Sequence, residues 1–255
     1  MTAGEIHSIA SVFKTLITGS HILHHGVLDA YAHLSVRHPG KKDTFLMPRN
    51  IAPALISSAA DIVEYRVEDA SPVDPNSPAG YAERYIHSEI YKRYPEIKSV
   101  IHSHSDAVLP FTITGEKVPK FDIGQVYAEG DVRDLLIRST RLGEHLAACF
   151  AEESGESYNP VVLMRGHGLT VAGASIQESV FRAIYTAENA RVQSASLNLQ
   201  LASGTAPLKP GESLYYLEQG ELDAAAQMTQ WSVMRPWELW VREVEANGLY
   251  VNNVE

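Results

Sequence analysis

Short apolar segments of strand character alternate with helix-like stretches along this chain, and that alternation constrains the fold more than any other feature. Strand signatures fall at 26–37, closing on the His38-Pro39-Gly40 turn, and at Thr44–Met47 as a hairpin partner. Further ones fall at 62–67 after a Ser57–Asp61 loop, at 98–104, and at 161–164. Between them, Ile6, Ile9, Val12, Phe13 and Leu16 share one face of a helix over 5–18. Residues 81–94 read as a helix stopped by Pro95, and 131–152 as another. The Pro-, Ser- and Asp-rich run 69–80 is a loop. A second loop, Arg165–Gly168, leads to a long helix that starts at a Ser175/Glu178 capping box and reaches about Leu201. Strands interleaved in this way make an α/β or α+β domain with a central sheet covered by helices. Without repeats or an obvious linker, 1–255 reads as one domain.

Composition narrows the function classes. A net charge of −10 argues against a general nucleic-acid or anionic-membrane binder, both of which need basic surface, and leaves small anionic substrates open. No stretch approaches the roughly 18 apolar residues needed to span a bilayer. Met1–Gly19 lacks the charged start and apolar run of a signal peptide, and the single Cys149 permits no internal disulfide. The expectation is a cytoplasmic protein. Cys149, within Leu146-Ala-Ala-Cys-Phe150, reads as a buried packing residue. Met228–Glu245 is amphipathic, carries all three tryptophans and reads as core or subunit packing, so 205–255 is expected to be an extension at a subunit interface.

The chemistry is concentrated in histidines. In Val100-Ile-His-Ser-His104, two imidazoles stand two apart on a strand, so both face the same side and can grip one ion. Two neutral imidazoles fall short of the three or four ligands a catalytic metal takes. His167, between Gly166 and Gly168 just after an apolar strand, is the best third ligand. Glu83, His87, Ile90 and Tyr94 follow helical spacing, so Glu83 and His87 lie near such an ion if that face meets the His102 strand. Each pattern alone is unspecific: eleven histidines raise the number of chance matches, and Glu83 equally suits a surface pair with Arg84 or a neighbour.

Taken together and in order, Ala32-His-Leu-Ser-Val-Arg37, Phe45-Leu-Met-Pro48, Glu83 with His87 and Tyr91, His102-Ser-His104 and Arg165-Gly-His-Gly168 resemble the class II aldolase and adducin family over about residues 5–200. The resemblance implies an α/β/α sandwich around a largely antiparallel sheet, commonly a homotetramer. It also implies one divalent metal ion per subunit (Mn2+ or Zn2+, with Fe2+ as an alternative) held by His102, His104 and His167. Glu83, nineteen residues before His102, matches a glutamate acting as ligand or acid/base.

Departures from the sugar-phosphate members redirect the substrate. Where those proteins cradle phosphate with small residues and backbone N–H groups, this chain has Ala32-His33, Arg49-Asn50 and Tyr81-Ala82. Bulk replaces the cradle, and Arg49 with His33 suits a planar carboxylate, although Arg49 equally fits an interface salt bridge. His24-His-Gly-Val-Leu-Asp-Ala-Tyr31 is similar to a branch that decarboxylates hydroxylated aromatic acids such as dihydroxyphthalate and a hydroxy-methylpyridine-dicarboxylate. That likeness implies a lyase in which the metal stabilises enolate-like charge as C–CO2 breaks. Arg49 and His33 orient the carboxylate, Glu83 or water protonates carbon, and His25 and Tyr31 line the pocket. In similar proteins a C-terminal region covers the neighbour's site, which makes Tyr215, Tyr216 and Trp231 candidates for lining it. The competing readings are an aldolase for an unphosphorylated hydroxy-keto acid, an iron-dependent aromatic oxygenase, and a non-catalytic adducin-like binding module.

Overall fold

The computed structural model describes residues 8–26, 29–114, 119–152, 158–203 and 217–255. Its sheet contains β1 (His33–Arg37), β2 (Thr44–Pro48), β3 (Ile62–Arg66), β4 (Ser99–Ser103), β5 (Lys120–Phe121), β6 (Val161–Met164) and β7 (Gly168–Gly173). The spatial order is β3-β2-β1-β4-β7-β6-β5, and every pairing is antiparallel except β5 with β6. Helices α1 (Ile9–Gly26), α5 (Ile176–Ala202) and α7 (Met234–Ala246) cover one face; α2 (Arg84–Arg93) and α4 (Thr140–Ala148) cover the other. Two further α-helices are the short α3 (Leu109–Ile113) and α6 (Gln219–Ser232). The result is an α/β/α sandwich, and none of the described helices is long and apolar enough to cross a membrane.

Alternation along the central strands divides two cores. Leu34, Ile101, Leu169 and Val171 join Leu16, Leu23, Val180 and Trp237 on the α1/α5/α7 side. Val100, Ala172, Val162 and Met164 join Ile86, Ile90 and Leu146 on the α2/α4 side. His33, Ser35 and His102 are on the α2/α4 side too, so strand parity alone delivers these polar groups beneath α2.

Several expectations change. Helix α1 runs on to Gly26 instead of ending near 18, because Gly19–Leu23 is buried against the sheet and α5. A Cβ at Gly19 would stand 2.9 Å from the Ile176 side chain and 3.0 Å from that of Leu34, so a larger residue would push these side chains aside. The strand read at 26–37 therefore starts at His33. The helix read at 131–152 starts at Thr140, where Ser139 Oγ accepts the Leu142 N–H; Leu135 before it has φ 68°, incompatible with helix. Strand β7 lies between the expected Arg165–Gly168 loop and the helix at Ser175, where no strand was expected: glycine and alanine at its ends weaken the strand signal, and pairing with β4 and β6 on both sides overrides that. The start of α5 is as expected, with Ser175 Oγ accepting the Glu178 N–H at 3.1 Å, while Glu178 Oε2 accepts from Ala174 at 2.7 Å. Cys149 is only half-buried, its thiol donating to the His145 carbonyl at 3.4 Å. Trp237 is buried, Trp240 packs at the core's edge and Trp231 is exposed; Tyr215 and Tyr216 lie outside the described residues.

Candidate metal centre

His102 stands on β4, His104 one residue beyond its end, His167 in the β6–β7 turn, and Glu83 at the N-terminal edge of α2. A Cβ on Gly168 would lie 2.1 Å from the Ser103 carbonyl and 3.2 Å from His104 Cα. The missing side chain is what lets the turn press against β4 and bring His167 to the pair. His102 Nε2 and His104 Nε2 are 3.0 Å apart, and Glu83 Oε2 is 3.7 Å from both His102 Nε2 and His167 Nε2. All four ligand atoms lie within 4.8 Å of one another.

These spacings fit a single ion, since ligands at about 2.0–2.2 Å from one centre lie roughly 3–3.5 Å apart. The protonation states fit as well. Burial, then the neighbouring histidines, holds His102 well below its ordinary range, and burial, then His104, brings His167 down to about 4. These two imidazoles thus offer lone pairs at neutral pH. Burial raises Glu83 to about 7, opposed by the Ile137 N–H that it accepts at 3.0 Å. A carboxyl whose charged form burial disfavours gains from a dication at this position. Further out, Asp29 Oδ2 accepts from His104 Nδ1 at 2.9 Å and Thr170 Oγ1 sits 3.5 Å from His102 Nδ1. Both contacts leave Nε2 bare and facing inward.

The remaining candidates occupy different distances from this quartet. His33 faces His102 in register across β1 and β4, with ring centroids 5.2 Å apart, and its other face meets Tyr81 at 4.7 Å. Arg49 donates through Nε to Asp61 at 2.8 Å, an ion pair within the chain, and its charge reaches the Tyr81 hydroxyl, which donates to the Ile51 carbonyl. His87 is not in the quartet; it lies behind His33 at 2.8 Å. His25 and Tyr31 are exposed: His25 meets the edge of Tyr250, with ring centroids 6.0 Å apart, and Tyr31 is 74% accessible. Asp29 and the Ile137 N–H were missed, since contacts 75 and 54 residues apart leave no local pattern; an aspartate just ahead of the β1 strand was the one available signal for the first.

A sandwich of this topology with a His3Glu cluster at the ends of its central strands is a class II aldolase-type fold, and the chain belongs to that family: residues 17–194 match the class II aldolase and adducin N-terminal domain. It is 55% identical to "Decarboxylase tropJ" of Talaromyces stipitatus over 94% of this chain and 96% of that protein. It is 36% identical to a 3,4-dihydroxyphthalate decarboxylase of Terrabacter sp. over 51% of this chain and 54% of that one. Among solved structures, an aldolase II superfamily protein from Pseudomonas syringae matches with TM-score 0.67 at 20% identity, covering 97% and 96% of the two chains. The L-fuculose 1-phosphate aldolase of Glaciozyma antarctica matches with TM-score 0.64 at 19% identity, covering 96% and 93%. The family and the decarboxylase relatives together support a lyase.

Proposed function

We propose that this protein is a divalent-metal-dependent decarboxylase of a hydroxylated aromatic or heteroaromatic carboxylic acid, acting in the cytoplasm as a homo-oligomer, a tetramer by analogy with the family. The observation that carries the reading is the convergence of Glu83, His102, His104 and His167 beside a wall of His33, Tyr81 and Arg49, with decarboxylase relatives as support. Mn2+ or Zn2+ suits the nitrogen-rich set, with Fe2+ as an alternative. When bound, the ion supplies Lewis acidity for the negative charge that a hydroxylated ring develops as its carboxylate leaves.

The chain's own residues account for the rest. His33 keeps Nε2 free of any protein hydrogen bond among the described residues, which suits it to hold a substrate carboxylate oxygen. Arg49, tethered to Asp61 by Nε alone among the described residues, keeps its terminal nitrogens for a second oxygen. Decarboxylation replaces C–CO2 with C–H and consumes one proton. Glu83, buried beside the site, is the group in place to hold and deliver it. Tyr31, whose N–H donates to Asp29 at 3.0 Å, and His25 complete the proposed substrate-binding set.

Carbon dioxide release from a panel of hydroxybenzoates and hydroxyphthalates, run beside pyruvate-plus-aldehyde incubations, tests the reading. Carbon–carbon cleavage confined to hydroxy-keto acids would make the protein an aldolase instead. Retention of both metal and activity in His102→Ala would remove the metal centre from the chemistry.

A further inference from the structure

Three successive peptide groups beside the metal centre, those of Leu135, Leu136 and Ile137, each give their N–H to a side chain. Leu135 donates to Tyr127 Oη at 2.8 Å, Leu136 to Asp134 Oδ1 at 3.1 Å, and Ile137 to Glu83 Oε1 at 3.0 Å. A main-chain N–H can only donate, so chemistry fixes the direction of every one of these contacts. Residues 126–139 lie outside any helix or strand. Side chains therefore decide where the Ile137 N–H points.

Leu135 is the unusual member. Its φ of 68° lies in the left-handed region, where Cβ crowds the carbonyl that follows and bulky residues rarely go. Such strain persists only where the surroundings over-determine it, and it gathers at functional sites. Here the Tyr127 hydroxyl takes the Leu135 N–H, and the Arg133 guanidinium stands 5.7 Å over the centroid of the Tyr127 ring. The Leu135 carbonyl also acts on His167, opposing the lowering of that imidazole by burial. One strained residue thus bears on two members of the quartet.

The oxygens of Glu83 are divided accordingly. Oε1 takes the Ile137 N–H, while Oε2 is the oxygen 3.7 Å from both His102 Nε2 and His167 Nε2. Its own helix makes no use of the carboxylate, since Glu83 precedes α2 without a side-chain cap. We infer that Tyr127 is a positioning residue for the metal centre: its hydroxyl holds Leu135 in the left-handed conformation that aims the Ile137 N–H at Glu83 and leaves Oε2 facing the ion.

The inference rests on the metal-centre reading and not on the reaction. Tyr127→Phe keeps the ring and deletes the hydroxyl. Its zinc dissociation constant, from chelator competition, should rise about tenfold. At saturating zinc its Ile137 amide should exchange with solvent about tenfold faster than in the wild type, while the amides of α4 keep their rates. Glycine enters the left-handed region freely, so adding Leu135→Gly to Tyr127→Phe should bring zinc affinity back to within about threefold of wild type. An unmoved zinc constant or Ile137 exchange rate in Tyr127→Phe would overturn the proposal. So would faster exchange throughout α4, or a double variant that binds zinc no better than Tyr127→Phe. Wild-type protein that takes up no zinc would overturn the metal-centre reading together with it.

Discussion

Asp29 Oδ2 accepts a hydrogen bond from His104 Nδ1 at 2.9 Å, while its other oxygen accepts the N–H groups of Tyr31 and Ala32, each at 3.0 Å. Partial burial pushes this carboxyl upward, but His104 and the two amides outweigh it and hold it below the usual range. The segment leading into β1 is thus tied to the residue after β4, and the His104 ring is turned to offer Nε2. In Asp29→Asn, which can still accept from the backbone amides but pairs more weakly with the imidazole, metal affinity should fall about 10–100-fold with little loss of stability. Chelator competition checks this; an unchanged dissociation constant would reduce Asp29 to a loop anchor.

Glu83 combines burial, one amide donor and two imidazoles at 3.7 Å. Carboxyl-labelled glutamate should show it titrating near 7 in the metal-free protein. Zinc should move that titration to lower pH, because an adjacent cation favours the carboxylate. Glu83→Gln should lower turnover by about 10²-fold or more while the fold persists. A midpoint indifferent to zinc would place the ion away from Glu83.

Acid should unfold the metal-free protein early. Burial lowers His87 to about 3 and His167 to about 4, against about 6.5 for an unfolded histidine. Below 6.5 the unfolded chain binds protons that the folded one refuses. The stability these residues contribute is therefore complete above 6.5 and is lost as pH falls towards the folded values. At pH 5 each of the two costs about 2 kcal/mol. Melting temperatures in a chelator at pH 7.5 and 5 provide the measurement, and a flat profile would contradict the neutral buried imidazoles.

The two glycines of the β6–β7 turn should respond differently to alanine. Gly166 has φ +66° with open space around its Cβ direction, so Gly166→Ala should cost about 1–2 kcal/mol of conformational strain. At Gly168 the added carbon meets backbone at 2.1 Å, so β7 must shift from β4. Gly168→Ala should cost about 3 kcal/mol or more and also loosen metal binding through His167. Urea unfolding with zinc titration separates strain from lost geometry, and equal effects at the two positions would refute the close-approach account.

Much of this was legible along the chain. The His102/His104 spacing, Ser175 with Glu178 and the β1–β2 hairpin are local patterns with local causes: strand parity, helix capping, turn chemistry. The misreadings share a cause as well. Helix α1 beyond 18, the start of α4 and strand β7 depend on what packs against them, and Gly168-Leu-Thr-Val-Ala-Gly173 has no feature that announces a strand buried between two others.

The sequence by itself determined which residues could do chemistry and which face of β4 His102 occupies, because a strand's period of two needs no partner. The tertiary structure alone decided their roles. Which nitrogen an imidazole turns towards the site depends on what its other nitrogen meets, and that partner comes from a distant segment: Asp29 for His104, His87 for His33. Hydrogen-bond direction is set across space, between atoms that only the folded chain brings together.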